Sequence, residues 1–454
     1  MKIKKLYPDF LLLALDVFVI YFSIILAFYT RPFIGLFMNL VPLSHGLSTY
    51  IYKFWMVLII VVLIAYYRGY GLVINFWDEL LTFIKSLSIS FLIVWMVISL
   101  QKGGEEVSRI IITLSFIYML FLMPLFRAVL KYVMYKINNL RKPAYIVNNK
   151  DKKRSEVTIS AINKEWYSGL RIIDSIDSLN ANNIKEKQVE VCFVPISSLD
   201  EETVKTIKPY VKNFILVSEI PGLSFMNTEV KTFLNNNIAL ITVSKGLLSI
   251  QKTLIKRGFD ILFSIIGLIV FSPLFVIISV LIKLDSDGPV FFKHKRCGKN
   301  LREFEMYKFR TMKAEGESEL NDFLAKNPDA AKEIEERNKL ENDPRITKTG
   351  RILRKTSLDE LPQFINVLKG DMSIVGPRPD EKSAIERYYN EYREIYNHIR
   401  PGMTGLWQVS GRSEIKYEER VRLDYFYLLN WSMWLDIVII IKTFRAILSA
   451  RGAY

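Results

Sequence analysis

Phe259-Asp-Ile-Leu-Phe-Ser-Ile-Ile-Gly-Leu-Ile-Val-Phe-Ser-Pro-Leu-Phe-Val-Ile-Ile-Ser-Val-Leu-Ile282 is the stretch on which the architecture turns. By length alone it is a membrane-spanning helix, for which about 20 apolar residues suffice. Two features argue against a span. Ser272-Pro273 sits near its middle, where proline removes a backbone donor and clashes with the preceding turn. A backbone group freed in lipid must find a partner, and the serine hydroxyl can supply one. Lys256 and Arg257 precede the stretch, Asp260 lies at its start and Lys283 follows it, so positive charge flanks both ends and favours one shared aqueous face. The expectation is a re-entrant helix over 259–282, broken at Ser272-Pro273, that dips into one leaflet and returns. The alternative, a kinked span, would put the rest of the chain on the opposite side of the membrane.

Upstream the chain is more apolar still. Of its 454 residues 50% are hydrophobic, and its mean hydropathy is positive. Four apolar runs, Phe10–Thr30, Phe54–Tyr67, Leu80–Leu100 and Ile110–Phe126, predict a four-helix transmembrane region over residues 1–140. The second reaches span length only with Ile51 and Tyr52. Lys2, Lys4 and Lys5 before the first run, Arg68 in the second connection, and Lys131, Lys136, Arg141 and Lys142 after the fourth all belong on the cytoplasmic side. Asp16 and Lys85 lie within runs; the first is read as facing the bundle interior, the second as reaching for the interface.

Residues 143–248 alternate short β-rich strings (144–147, 189–194, 214–217, 238–243) with polar helical stretches, the pattern of a Rossmann-like parallel α/β domain. The turn after the first string, Asn148-Asn-Lys-Asp-Lys-Lys153, has no glycine, so a bound dinucleotide is not expected there. Cys192 and Cys297 exclude a disulfide framework, and with three histidines they make no zinc site; an essential metal should be a hard ion such as Mg²⁺.

Residues 252–454 carry the chemistry. The net charge of +15 suits an anionic partner, and no base-reading motif points to nucleic acid. Asp359 and Glu360 stand among Arg351, Arg354, Lys355 and Arg378. Arginine forks clamp phosphate oxygens, one carboxylate can attack phosphorus, and a second can hold Mg²⁺. Ser357 and Glu360 have capping-box spacing, which would place Asp359 in a first helical turn; in isolation such a pair is an ordinary helix cap. The run Trp434–Phe444 is too short to span and reads as an interfacial helix or as core.

Several strings occur in order: Lys256-Arg257-x-x-Asp260, Ser272-Pro273, Lys308-Phe-Arg-Thr-Met312, Thr356-Ser-Leu-Asp-Glu-Leu-Pro-Gln363, Gly376-Pro-Arg-Pro379 and Arg400-Pro-Gly-x-Thr-Gly405. Together they resemble the bacterial sugar transferases, the monotopic polyprenyl-phosphate phosphoglycosyl transferases, over the region from Lys256 to Tyr454. The N-terminal helices and middle domain resemble the large members; Asn430-Trp-Ser and Gly452-Ala-Tyr454 resemble those that transfer galactose phosphate. The resemblance implies a mixed, mainly helical monotopic catalytic domain on the cytoplasmic face of a bacterial inner membrane. It implies that Asp359 attacks a UDP-sugar, releases UMP and carries hexose-1-phosphate to undecaprenyl phosphate, with Glu360 the Mg²⁺ ligand. Arg354 and Arg378 match phosphate-binding arginines; Arg412 and Asp424 match positions near the site. Lys256, Arg257, Asp260, Ser272 and Pro273 match the re-entrant helix. A glucose-transferring relative, a transferase that moves the sugar alone and releases UDP, and a non-enzymatic scaffold for polysaccharide assembly are the rival readings. A homodimer through the middle domain is one assembly the sequence allows.

Overall fold

A computed structural model describes residues 2–448, except 38–42, 71–74, 101–106, 148–151, 177–190, 200–206, 208–210, 218–228, 234–237, 243–246, 314–319, 328–339, 411–415 and some single or paired positions. The chain divides into two compact units, Met1–Glu219 and Ile220–Tyr454. The expected boundary near 140 falls inside the first, which holds both the apolar helices and a parallel sheet.

In the first unit the apolar runs form helices α1 (Lys2–Gly35), α2 (Phe54–Tyr66), α3 (Phe76–Leu100) and α4 (Arg109–Lys131). Ile20, Ile60, Phe83, Ile111 and Met119 pack between them. Phe18, Leu58, Leu92 and Phe121 face outward and are bare. Helices that are apolar inside and out are membrane helices, and α1, α3 and α4 are long enough to cross. The second run falls short: α2 has 13 residues, about 20 Å of helix, and Ile51 belongs to a separate turn, Ser48–Ile51, cut off from α2 at Tyr52 and Lys53.

Asp16 faces the interior as expected. It is fully buried and accepts hydrogen bonds from Arg127 Nε (2.9 Å) and Tyr70 (2.8 Å). Arg127 also donates to Glu79 (2.7 Å), as does Lys131 (3.0 Å), so two acids and two bases neutralise one another where an unpaired charge would be untenable. Lys131 is thus not a surface charge of the membrane edge, as its position in the chain suggests; Glu79 holds it inside. Tyr167, just before the second strand of the sheet, donates to the same Glu79 and ties sheet to bundle. Lys85 is exposed.

The sheet consists of β1 (Lys142–Val147), β2 (Leu170–Ile176), β3 (Val191–Pro195) and β4 (Asn213–Val217), all parallel in the order β2-β1-β3-β4, with helix α5 (Lys152–Lys164) between β1 and β2. Its central strands bury both faces: Ala144, Ile146, Val191 and Phe193 on one side, Tyr145, Val147, Cys192 and Val194 on the other. The glycine-free turn after β1 lies largely outside the described residues.

The string at 238–243 does not join this sheet. It forms β6 (Ile238–Thr242) in the second unit, paired antiparallel with β5 (Glu229–Phe233) across the Asn-rich segment 234–237. A four-residue connection brings this neighbour first, and a hairpin forms rather than a parallel crossover.

Helix α6 (Ile250–Asp285) follows, 36 residues and about 54 Å long. The expected break is absent: the chain stays helical through Ser272-Pro273. Pro273 cannot donate to Ile269 O, and Ser272 Oγ does so instead, at 2.8 Å. Most of the helix is bare aliphatic surface, Leu262, Ile266, Ile269, Val276 and Val280 among it. Its thin buried stripe touches the same body at both ends. Gly267 lies against the Phe364 ring, on which Phe271 stacks. Ile278 and Ile282 pack with Phe309 and Leu353, and Asp285 accepts from Thr349 N at 2.7 Å.

That body is built from the antiparallel hairpin β7 (Phe291–Cys297) and β8 (Glu303–Phe309), helices α7 (Lys348–Thr356) and α8 (Gln363–Lys369), the parallel pair β9 (Ser373–Val375) and β10 (Gly402–Thr404), and helices α9 (Tyr417–Asn430) and α10 (Met433–Leu448). Helix α10 takes the run expected at the interface. Ile439 is fully buried in the core while Phe444 is exposed, so it is half core. Lys256 and Asp260 lock α6 onto this body. Lys256 Nζ lies 2.8 Å from Asp436 on α10, and Asp260 accepts from Ser373 Oγ (2.8 Å) and Ile374 N (3.0 Å) on β9. Arg257 donates to the carbonyls of Val367 (2.6 Å) and Leu368 (2.9 Å) at the end of α8.

Candidate active site

Asp359 and Glu360 are held by the way α7 ends. Thr347 caps α7, accepting from Gly350 N at 2.9 Å. Ser357 closes it in the left-handed region at φ 57° and makes no side-chain cap bond, so the capping-box expectation is not met. Ser357 ends one helix instead of starting another. A single 3₁₀ turn, Leu358–Glu360, follows before α8. Its tight winding sends Leu358 and Leu361 into the cluster of Ile278, Phe309 and Leu353 and leaves the two acids on the other side.

Lys308 on β8 meets both acids, 2.7 Å from Glu360 Oε1 and 3.8 Å from Asp359 Oδ2. Its string was legible in the sequence but its role was not, because the residue precedes the pair by a long stretch of chain. Arg354 on α7 is half-buried and donates from Nε to Thr311 Oγ1 at 2.9 Å, with its guanidinium in the field of Asp359. Arg378 is exposed and acts on Glu360. The expected pair and two of the expected arginines therefore converge.

Two other candidates do not join them in the described contacts. Asp424 on α9 is buried and accepts from Tyr389 Oη at 3.0 Å; burial raises its carboxyl well above the usual range, and it serves the interior. Arg412 lies outside the described residues.

The two acids are electrostatically unlike. Burial pushes Asp359 up to about 6; Lys308 pulls the other way and Glu360 adds to the rise. Burial would raise Glu360 too, but Lys308 and Arg378 outweigh it and hold it below the ordinary value. Neighbouring carboxylates pushed apart in this way are suited to different tasks: Glu360 to remain an anion that binds cations, Asp359 to be a poised, poorly solvated nucleophile.

Glycines bring the walls together. A Cβ on Gly350 would lie 2.0 Å from Thr311 O, and one on Gly376 would lie 2.4 Å from Arg400 O, where the Gly376-Pro-Arg-Pro379 turn is laced to β10 by Gly402 N to Pro377 O (2.7 Å). Gly350→Ala must separate α7 from the end of β8. It should cost about 3 kcal/mol or more, read as a lowered unfolding temperature, with the loss of Arg354's bond to Thr311 lowering turnover as well.

The family described as bacterial sugar transferase matches residues 251–450, the region holding this site. The chain is 34% identical to the undecaprenyl-phosphate galactose phosphotransferase of Salmonella typhimurium over 406 residues, 84% of this chain and 83% of the relative. This protein belongs to the bacterial sugar transferase family. It is also 32% identical to a UDP-galactose-lipid carrier transferase of Erwinia amylovora over 84% of this chain and 83% of the relative. A shorter sugar transferase, the exopolysaccharide production protein ExoY of Rhizobium meliloti, is 47% identical over 199 residues, 44% of this chain but 88% of the relative. Less than half of the present sugar transferase thus corresponds to nearly a whole relative.

Proposed function

We propose that this sugar transferase moves hexose-1-phosphate from a UDP-sugar to undecaprenyl phosphate at the cytoplasmic face of a bacterial inner membrane, releasing UMP and starting a surface polysaccharide. The split carboxylate pair amid Lys308, Arg354 and Arg378 carries this reading. Asp359 attacks the β-phosphorus; the bond from that phosphorus to the bridging oxygen breaks, and UMP leaves with the oxygen. The resulting acyl-phosphate keeps the sugar phosphate on the enzyme. An oxygen of polyprenyl phosphate then attacks the same phosphorus and frees the carboxylate. A covalent relay lets one site meet a soluble donor and a membrane-bound acceptor in turn.

The residues fit Mg²⁺, which takes one or two carboxylates and completes its shell with water and substrate phosphates. Glu360, which Lys308 and Arg378 hold below the ordinary carboxylate range beside Asp359, is the residue that would hold the ion. Bound there, it would neutralise charge on the transferring phosphates.

A shallow course for α6, with both its ends on one face of the membrane although the helix is unbroken, is supported by its bare aliphatic face and by contacts of both halves with one body. The order of the parallel sheet fits half of a doubly wound, Rossmann-like domain with a structural or regulatory role. Galactose is favoured because the Salmonella and Erwinia relatives, which match over most of their length, are named for it.

Purified full-length enzyme, incubated with undecaprenyl phosphate and a panel of UDP-sugars, should release UMP fastest with UDP-galactose. UDP as product would indicate transfer of the sugar alone. No nucleotide release from any donor, with Asp359→Asn still complementing a deletion strain, would leave a scaffold.

The pH dependence has a definite sign. Only the Asp359 carboxylate is nucleophilic, and its raised pKa leaves it protonated below about 6. The rate at low donor concentration should rise with pH through about 6 and level off above it. Lys308→Met removes the charge that opposes this rise and should move the inflection to higher pH. A flat profile from about pH 5 to 8 would contradict the assignment.

A further inference from the structure

A second cationic site lies away from the carboxylate pair. A cavity of about 340 Å³ opens beside the turn that joins β7 to β8 and is lined by Lys299, Asn300, Arg302, Gly370, Asp371 and Arg400 among others. The volume is that of a small-ligand pocket. Three cations against Asp371 and Glu303 give the lining a net positive charge. Arg400 is fixed from below, its Nε donating to Gly370 O at 2.7 Å. Among the described residues neither Lys299 nor Arg302 has an acidic partner within ion-pair distance, and burial together with Arg400 lowers the Lys299 ammonium from its usual range. Asp371 offsets Arg400 in part, but Lys299 and Arg302 are left without an ion pair among the described residues, so the lining is suited to an anion. The turn also takes Asn300 to φ 58° and Leu301 to φ 57°, a left-handed conformation that a leucine rarely adopts. Strain of this kind persists where surrounding structure fixes a functional geometry.

The cavity is separate from the catalytic pair. Glu303 and Lys308 are five residues apart on β8, so the two sites lie about 16 Å from each other along the strand. Its place in the fold indicates the occupant. Gly370 lies against the Arg257 guanidinium, near the start of α6. On the neighbouring turns of that helix Leu254, Ile255 and Leu262 are bare and apolar. The cavity thus sits at the level where polar surface gives way to lipid-facing surface.

We propose that this cavity binds the phosphate of a membrane-lipid headgroup, with Lys299, Arg302 and Arg400 as its cationic ligands, and so seats the start of α6 at the interface. The same phosphate chemistry is offered by a bulk anionic phospholipid and by the polyprenyl carrier waiting outside the catalytic site. The inference rests on the shallow placement of α6 and not on the covalent step.

The test uses the full chain carrying Asp359→Asn, so that no turnover intervenes and failure of the proposed reaction cannot be mistaken for failure of this site. The purified protein in neutral detergent is titrated with dihexanoyl phosphatidylglycerol and, separately, with a short-chain polyprenyl phosphate; dihexanoyl phosphatidylcholine is the control. Binding is read by native mass spectrometry. One anionic lipid should bind at least tenfold more tightly than phosphatidylcholine, and Lys299→Ala/Arg302→Ala should abolish that preference. Whichever anionic lipid shows the preference names the source. Neither side chain has a protein ion partner, so the double variant should fold, and an unchanged unfolding temperature without lipid verifies it. In the chain with Asp359 intact, the double variant should keep its UMP release from saturating substrates in detergent. Equal binding of all three lipids, or a preference undiminished in a folded double variant, would overturn the proposal.

Discussion

Asp359→Asn should abolish turnover and stabilise the protein at the same time. The amide cannot form an acyl-phosphate, so UMP release should fall by about 10³-fold or more, equivalent to at least about 4 kcal/mol of barrier. The carboxylate it replaces is 13% exposed, and its pKa is raised to about 6. A group whose folded pKa lies above its unfolded value favours folding when protonated and opposes it when ionised. Near pH 7.5 the buried charge therefore costs up to about 3 kcal/mol, and the cost fades as pH falls through 6 towards the unfolded value. The variant should unfold at a higher temperature than wild type near pH 7.5, with the difference shrinking below pH 6. Activity lost with stability lowered at both pH values would show that Asp359 supports the fold instead of burdening it.

Lys256→Met should produce the largest loss of stability. Lys256 lies between Asp436, at 2.8 Å, and Asp260, at 3.8 Å, and all three are buried. Asp436 has further donors in Tyr427 (2.5 Å) and Trp431 (3.1 Å), but no other cation is within ion-pair distance of either acid among the described residues. Removing the ammonium leaves two carboxylates buried and unpaired, which costs about 3–5 kcal/mol. In lipid nanodiscs this should appear as a lower unfolding temperature and faster proteolysis near the start of α6. Because charge imbalance is the cause, Lys256→Met combined with Asp436→Asn should recover part of the loss. A single variant as stable as wild type would mean that the Lys256 ammonium is not what makes the two buried acids tolerable.

How far the sequence reveals this architecture depends on how local each determinant is. The strands β1 and β3 are readable because both faces are buried and the strings are continuously apolar. The strand β2 is not: Leu170 and Ile172 are buried while Arg171 and Ile173 face outward, and the charges break the pattern. Pro273 announces a break that does not occur, because Ser272, one residue away, satisfies the carbonyl that proline orphans. The Asp359-Glu360 pair stands out by its neighbours in sequence, but the electrostatic split between its members does not, since Lys308 comes from another strand and Arg378 from beyond α8. Ser357 mimics a capping box because spacing carries no φ angle. The buried quartet of Asp16, Glu79, Arg127 and Lys131 is half visible: an acid within an apolar run is conspicuous, whereas its bases stand at the helix end, where surface cations are the ordinary reading.

Whether Asp359 itself receives the sugar phosphate is decided by mixing wild-type enzyme and UDP-galactose with Mg²⁺ in the absence of any polyprenyl phosphate. A single burst of UMP should appear, one per active chain, and mass spectrometry should place one hexose phosphate on the peptide containing Asp359, to be discharged when undecaprenyl phosphate is added. UMP that forms only once the lipid acceptor is present, with no adduct on that peptide, would contradict a covalent role for Asp359.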